Sequence, residues 1–250
     1  MFLSEIHEQL CAGELSKLHD GDGDTLAPNS IPKINSLIVA GLNDLNKHFS
    51  LREKDLVVRT KLGKTVYELT PENAVSSSNP YAFILDSRED PFLGDIMQII
   101  GITDINGNNL WGRQDTVQTT PGADIYASKI THLHNAGIIL QAHNIFKLSS
   151  DHDYGDLLVT YKARVKPFDT SLNPEDTLVD IPDHFMNALV LYVASRKFNP
   201  MGAETIGRGM FHEGNNYWTK YQEEIQTLKA NMASIGTTGV NTNFQLGGWV

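Results

Sequence analysis

The apolar residues between 177 and 231 follow two helical patterns of different character. In the first pattern, from Phe185 to Ala194, Asn187 alone interrupts the apolar run. A helix with almost no polar face must be surrounded by other protein. Pro182 predicts a helix start near Ile181, because the first turn needs no N–H from a proline. We therefore predict a buried helix in this part of the chain.

The second pattern predicts a long amphipathic helix. Steps of three and four place its apolar positions on one stripe, formed by Ile206, Met210, Gly214, Tyr217, Tyr221, Ile225, Leu228, Met232 and Ile235. A glycine inside a helix costs about 1 kcal/mol relative to alanine. Gly207, Gly209 and Gly214 therefore predict either close backbone packing or an irregular turn, and we expect at least one irregular turn there.

Two more helical patterns lie near the start of the chain. The opening helix carries Phe2, Leu3, Ile6, Leu10, Leu15 and Leu18 and ends in the acidic loop Asp20–Asp24. The next helix has Asn29 or Ser30 as its candidate N-cap and Pro32 in its first turn. Its stripe is formed by Ile34, Leu37, Ile38, Gly41, Leu42, Leu45 and Phe49.

After Asp55 the hydrophobic period changes from helical to extended for about a hundred residues. The runs 56–59 and 65–69 flank Lys61–Lys64 and predict a hairpin. A strand is predicted over 96–105, followed by a two-residue turn at Asn106–Gly107, where both positions tolerate a positive φ. The runs 128–134 and 137–142 predict a further hairpin, and 157–165 predicts a last strand.

From Gly236 onward the helical period disappears, although large apolar residues remain near the end. An extended segment that keeps apolar anchors suits docking into a groove of a partner, and a frayed terminus is the alternative. The candidate anchors are Phe244, Leu246, Trp249 and Val250.

These patterns predict an α+β fold in which N- and C-terminal segments form a helical bundle around a central, mostly antiparallel β domain. We predict N-terminal helices over 1–54, an inserted β domain over 55–172, a helical hairpin over 173–235 that packs on the N-terminal helices, and an extended docking tail over 236–250. The expected helical core consists of Ile34, Leu37, Ile38, Leu42, Phe185, Leu189, Tyr192, Tyr221, Ile225 and Leu228.

The composition of the chain limits the kinds of partner and compartment that are expected for it. The chain has 250 residues, a formal charge of −10 and one cysteine, so it forms no internal disulfide and suits a reducing compartment. An excess of acidic residues disfavours wrapping of nucleic acid, which depends on Lys and Arg, but allows duplex DNA to slide past. Met1–Gly13 is not expected to be a signal peptide, and no stretch is apolar enough for a membrane span.

Candidate metal and phosphate sites are weak. Asp20, Asp22 and Asp24 have the alternating spacing of a calcium loop, but Thr25 and Ile31 occupy the positions where glycine and glutamate are needed. A surface cation site or a solvated turn remains open there. Gly63-Lys64-Thr65 resembles the end of a phosphate-binding loop, although Val58 replaces its first glycine, and we interpret the match as coincidence.

Catalytic constellations are equally weak. His132, His134 and His143 lie on predicted strands and could approach a metal, but no carboxylate follows at a recognisable spacing. The segment 149–153 contains Ser, His and Asp side by side, which is not how a hydrolase triad is assembled. Trp218 with Tyr217 and Tyr221 forms either a stacking cluster or, as we favour, core, and Arg208 either reaches a channel or is solvated. We expect no enzyme activity, no resident metal and no cofactor.

Two stretches resemble the head-to-tail adaptor (head completion, connector) proteins of tailed bacteriophages, especially the short-tailed ones. The first is the helix 31–49 leading to Val66-Tyr67-Glu68-Leu69, where the family commonly has Tyr-x-Leu-Pro and this chain places Thr70 before Pro71. The second begins at Leu178-Val179-Asp180-Ile181-Pro182 and continues through the Ala-Leu-x-x-Tyr-x-Ala pattern of 188–194 to the long helix.

The resemblance implies a virion structural protein at the head-tail junction, made in the host cytoplasm. It implies a homo-oligomeric ring of about twelve copies below the portal protein that prolongs the DNA channel and offers a platform for the tail or nozzle protein. It also implies that the tail 236–250 reaches into clefts of the portal, and that double-stranded DNA passes without specific binding.

Two other functions remain open from the sequence. One is a metal-dependent hydrolase that uses His132, His134 and His143. The other is a tail-associated carbohydrate-binding module in which the β domain is the binder. Stoichiometric zinc in the purified chain would favour the first, and glycan binding by the β domain would favour the second.

Overall fold

The chain has a mixed α+β fold with antiparallel sheets, seen in a computed structural model. The structure describes residues 1–13, 26–107, 110, 138–148, 155–169, 172–198 and 209–238, with side chains over 213–231 in the last range. The described part divides into two compact units, which we call the helical unit (residues 1–49 and 165–250) and the β unit (Ser50–Arg164).

The helical unit contains α1 (Leu3–Ala12), α2 (Ile31–His48), α3 (Met186–Phe198) and α4 (Gly209–Thr238). Helix α3 packs against α1, α2 and α4. Helix α2 matches its prediction: Ser30 is the N-cap residue, Pro32 lies in the first turn, and the stripe faces inward. Leu15 and Leu18, predicted to extend the first helix, lie outside the described residues.

Helix α3 begins later than predicted. A 3-10 turn over Asp183–Phe185 precedes it, and regular α-helix starts at Met186. The prediction of a start near Ile181 was wrong because Pro182 is the extended residue that caps the 3-10 turn, with its carbonyl accepting the Phe185 N–H at 3.0 Å. The buried character of the helix is confirmed, since Leu189, Val193 and Ala194 have no exposed surface.

Helix α4 corrects two predictions. It runs without interruption from Gly209 through Gly214, so the irregular turn predicted there is absent from the described part, and Gly207 lies outside it. The helix also continues through Gly236 to Thr238, where the sequence predicted that the helical period had ended. A glycine costs only about 1 kcal/mol in a helix, which is too little to end one that is already propagating.

The β unit contains seven strands in its described residues: β1 (Glu53–Arg59), β2 (Val66–Glu68), β3 (Ile84–Leu85), β4 (Ile96–Asp104), β5 (Ile138–Ala142), β6 (Ile145–Leu148) and β7 (Asp156–Ala163). One sheet has the order β3-β1-β7-β4 and the other has the order β2-β6-β5, both antiparallel. Both sheets contribute to one apolar core, which includes Val58, Tyr67, Ile102, Phe146 and Val159.

The predicted pairing of β1 with β2 was wrong, although both segments are strands. Strand β1 pairs with β3 and β7, whereas β2 pairs with β6 in the other sheet. Lys61–Lys64 therefore turns the chain from one sheet to the other. Tyr67 explains the turn, because its ring is buried against Phe83 and Phe146 while its hydroxyl accepts the Lys61 N–H at 2.8 Å.

Two other turns differ from the predictions. Strand β5 pairs with β6 through a turn at residues 143–144, and the run 128–134 predicted to pair with it lies outside the described residues. At Asn106–Gly107 the chain turns as expected, but only Gly107 has a positive φ, +81°. The Gly107 N–H donates to the Asp104 carbonyl at 3.0 Å, so Ile105 and Asn106 are the central residues of the turn.

The boundary after the last strand is earlier than residue 172. The Val165 N–H donates to Asn43 Oδ1 at 2.9 Å, and Asn43 Nδ2 donates to the Val165 carbonyl at 3.4 Å. This pair of hydrogen bonds joins Val165 to α2 within the helical unit. No helix in the described ranges combines the length and the apolar content that a membrane crossing needs.

Candidate functional site

Helices α2 and α3 approach each other closely at Gly41. A Cβ atom at this position would lie 2.7 Å from Leu189 Cδ1 and 2.9 Å from Tyr192 Cδ1. Contacts that short do not occur between real atoms, so the approach depends on the absence of a side chain. Leu189 and Tyr192, which belong to the Ala-Leu-x-x-Tyr-x-Ala pattern, are therefore the residues of α3 that pack on α2 at Gly41.

Helix α4 covers α3 through an aromatic cluster formed by Tyr192, Trp218 and Tyr221. The Tyr192 ring centroid lies 5.4 Å from that of Tyr221 and 6.3 Å from that of Trp218, both in edge-to-face arrangements. The Arg196 guanidinium lies over this cluster, 4.7 Å from the Trp218 ring centroid and 5.3 Å from that of Tyr192. Tyr221 is fully buried and Trp218 is half-buried. The cluster therefore extends from the core of the helical unit to its surface.

A buried hydroxyl also joins α4 to α2. Tyr221 donates its hydroxyl hydrogen to Asp44 Oδ2 at 2.7 Å. Burial, followed by the hydrogen bond and the charge of Asp44, raises the pKa of Tyr221 well above its usual range. The phenol is a neutral donor at neutral pH, and its hydrogen bond links α4 to α2.

The segment before α3 is attached to the N-terminus by short strand-like pairing. The Leu3 N–H donates to the Thr177 carbonyl and the Val179 N–H donates to the Met1 carbonyl, each at 2.9 Å. Phe2 and Leu178 lie opposite each other between these two bonds. The Leu-Val-Asp-Ile-Pro stretch quoted for the family resemblance is thus an extended edge of the helical unit.

The predicted helical core residues all belong to the helical unit and differ in their degree of burial. Leu37 is half-buried. The others are buried: Ile34, Ile38, Leu42, Phe185, Leu189, Tyr192, Tyr221, Ile225 and Leu228. The tail residues Phe244, Leu246, Trp249 and Val250 lie outside the described residues.

The β unit holds a carboxylate in its interior. Asp95 accepts a hydrogen bond from Tyr161 OH at 3.1 Å and an ion-paired hydrogen bond from Lys54 Nζ at 2.8 Å. Burial, followed by the charge and hydrogen bond of Asp95, raises the pKa of Tyr161. The lysine side chain is one third exposed, and the arrangement ties β1 and β7 to the residue that precedes β4.

Most of the candidates for chemistry lie outside the described residues. His143 is exposed on the β5–β6 turn, while His132, His134, Asp20, Asp22, Asp24, Arg208 and the run 149–153 lie outside the described residues. Within those residues, no group of His, Cys, Asp and Glu is arranged to hold a metal ion. Gly63 has a φ of +79° in a turn between strands, which is not the strand-to-helix setting of a phosphate-binding loop.

The sequence did not reveal the roles of three residues that make contacts within the helical unit. Gly41 was included in the α2 stripe without its close contact, and Asn43 and Asp44 were not singled out. The partners of Asn43 and Asp44 lie 122 and 177 residues away in the chain, so no local pattern identifies them. For Gly41 the sequence does contain a signal. Gly41 lies within the apolar stripe of α2, and a glycine inside a buried stripe indicates close packing.

No protein-family model matches this chain, and a search of curated proteins gives no significant match.

Proposed function

We propose that this chain is a head-to-tail adaptor of a tailed bacteriophage, which forms a ring of about twelve copies under the portal. In this role it lies at the head-tail junction of the virion, prolongs the DNA channel and carries the tail or nozzle protein. The helical unit is the folded bundle of each subunit in the ring, and an extended C-terminal tail binds the portal.

The observation that carries the proposal is the enclosure of α3. The residues that carry the family resemblance, Ala188, Leu189, Tyr192 and Ala194, are all buried, and Gly41 lets α2 approach two of them closely. The same pattern that resembles the adaptor family is therefore the packing centre of the helical unit. A stretch whose residues share one structural role is better support than scattered matches.

The sequence after α4 supports the docking role of the tail. Beyond Thr238 it contains Phe244, Leu246 and Trp249. Burial of each such side chain contributes about 1.5–3 kcal/mol before ordering costs. One tail alone binds weakly, whereas about twelve tails linked in a ring bind tightly because each raises the effective concentration of the next.

Charge is consistent with a channel that DNA passes through. The formal net charge of −10 disfavours tight binding to phosphates, so the duplex is neither wrapped nor held. An adaptor needs such a surface, because tight binding would stop the passage of DNA during ejection.

The test is a truncation after Thr238, compared with the full chain for binding to portal-bearing capsids that lack the adaptor. We expect the truncated chain to keep the circular dichroism and thermal unfolding of the full chain but to be absent from sedimented capsids. Phe244→Ala with Trp249→Ala in the full chain should reduce incorporation without removing the segment. Undiminished incorporation of the truncated chain would refute the tail docking.

A further inference from the structure

Three loops at one end of the β3-β1-β7-β4 sheet, all within the β unit, each expose a large apolar side chain. Leu62 is 81% exposed, Ile105 is 80% exposed and Tyr81 is 78% exposed. Among the large apolar residues of the described part of the chain, these three are the most exposed. Single exposed apolar residues are ordinary on a protein surface, but a group of them in one place marks an interaction site. We call these three residues the apolar tips.

The register of the strands brings the apolar tips to the same end of the sheet. Strands β1 and β7 place Arg59 opposite Asp156, and strands β7 and β4 place Leu157 opposite Asp104. The Arg59 N–H donates to the Phe83 carbonyl at 2.8 Å, so the loop before β3 reaches this end too. Neighbouring strands lie about 4.8 Å apart, so the apolar tips stand at strand ends that span about 15 Å.

Hydrogen bonds hold the turns that carry the apolar tips. Lys61 Nζ donates to the Tyr81 carbonyl at 2.9 Å, which joins the turn after β1 to the loop before β3. The Thr60 N–H donates to the Gly155 carbonyl at 2.8 Å, which joins the same turn to the start of β7. Ile105 is a central residue of the tight turn after β4. The apolar tips therefore stand on ordered turns, and a partner gains their burial without first having to order the backbone.

Two lysines lie beside the apolar tips. Lys61 and Lys64 belong to the turn after β1, and within the described residues neither forms an ion pair with a carboxylate. The carboxylates at the strand ends are already engaged, since Asp156 pairs with Arg59 at 2.8 Å and Asp104 accepts an N–H of its own turn at 2.9 Å. Exposed charges act over about 8 Å at physiological ionic strength. The charge that this end offers to a partner is therefore that of the two lysines.

The shape of this end favours a lipid surface over a protein surface. Each apolar tip stands on its own turn, so a folded partner would need three separate recesses at matching positions. The boundary region of a bilayer needs none, because its headgroups and acyl chains move apart around an inserted side chain. Tyrosine is enriched at that boundary. Lysines beside inserted apolar residues bind anionic headgroups while their stems lie along apolar surface.

We infer that this end of the β unit binds the surface of an anionic lipid bilayer. Leu62, Tyr81 and Ile105 enter the boundary between headgroups and acyl chains, and Lys61 and Lys64 contact the negative groups of the lipids. The attachment is shallow and reversible, because only three side chains insert. The inference goes beyond the adaptor proposal and does not rest on it.

The first test is flotation of the full chain with vesicles of phosphatidylcholine, either pure or mixed with phosphatidylserine. We expect flotation with the mixed vesicles and weaker flotation with the neutral ones. Leu62→Ser with Ile105→Ser should lower the partition coefficient by about tenfold or more, and should keep the thermal unfolding of the unaltered chain because both side chains are exposed. Leu178→Ser, at a leucine of the helical unit that is 67% exposed, is the matched control and should float like the unaltered chain.

Two results of the flotation would overturn the inference. One is that the unaltered chain fails to float with the mixed vesicles, which would assign the apolar tips to a protein partner instead. The other is that the double variant floats as well as the unaltered chain.

A second measurement locates the insertion. Leu62→Cys in a Cys11→Ala chain, labelled with an environment-sensitive fluorophore, should show a blue shift in emission when mixed vesicles are added. The same label at Leu178→Cys should show none. Unchanged emission at position 62, or an equal shift at both positions, would contradict insertion of the apolar tips.

Discussion

The helical unit and the β unit bury their centres in opposite ways. In the helical unit, Leu189 has no exposed surface and packs against Gly41. In the β unit, the Asp95 side chain is also buried, but its carboxylate accepts hydrogen bonds from the Tyr161 hydroxyl and the Lys54 ammonium group. The comparison shows that a charged side chain can be buried without a large loss of stability only where hydrogen-bond donors surround it.

The largest expected effect comes from placing a carboxylate at a fully buried apolar position of the helical unit. Leu189→Asp should destabilise the helical unit by at least about 3 kcal/mol, since the charge is buried without a partner. Urea unfolding followed by circular dichroism measures the change. Asn187→Asp on the exposed face of the same helix is the control and should leave the midpoint nearly unchanged. A soluble Leu189→Asp chain with the original midpoint would contradict the enclosure of α3.

A moderate loss of stability is expected when a methyl group is added at Gly41 in the helical unit. In Gly41→Ala the new Cβ would lie 2.9 Å from the Tyr192 ring, which Trp218 and Tyr221 hold in place. Stability should fall by about 1–3 kcal/mol, although alanine in an open helical site would raise it by about 1 kcal/mol.

Gly101→Ala in β4 is the matched control for that substitution. Its Cβ would meet Thr160 Cβ at 3.8 Å, an ordinary contact. Thermal unfolding of the Gly101→Ala chain should therefore show no loss greater than about 0.5 kcal/mol. If Gly41→Ala is as stable as Gly101→Ala, the close approach of α2 and α3 is wrong.

The smallest expected effect is a difference between the two units in how their stability depends on pH. His7 on α1 lies with its Nε2 2.7 Å from Asn35 Oδ1, and burial, partly opposed by this hydrogen bond, lowers the pKa of His7 from its ordinary 6.5. A lowered pKa means that the unfolded chain binds the proton first as pH falls, so the stability that depends on neutral His7 is present above pH 6.5 and is lost as pH falls through the folded pKa.

Hydrogen exchange read by mass spectrometry can measure this difference. After correction for intrinsic exchange, protection in α1 and α2 should decrease between about pH 7 and about pH 5, while β7 keeps its protection. In His7→Gln, α1 and α2 should respond to acid no more than β7 does. Equal protection of α1 at both pH values in the unaltered chain would show that His7 does not couple to stability.

The elements were predictable where a short stretch contains its own signal. The α2 stripe from Ile34 to Leu45 and the buried run of α3 needed only the helical period, and β1, β4 and β7 needed only an extended apolar pattern. The candidate site was predictable only in part. Its apolar members follow that period, but the Tyr221–Asp44 hydrogen bond and the clamp of Asn43 on Val165 join residues more than a hundred positions apart.

By itself the sequence determined the kind of structure that each segment forms, because helix and strand periods depend on neighbours within about ten residues. Only the tertiary structure decided which strands pair, where the chain crosses from one sheet to the other, and how close α3 lies to α2. Those outcomes depend on contacts between distant segments: Tyr67 buried between Phe83 and Phe146 separated β1 from β2, and the missing side chain of Gly41 admitted Leu189 and Tyr192.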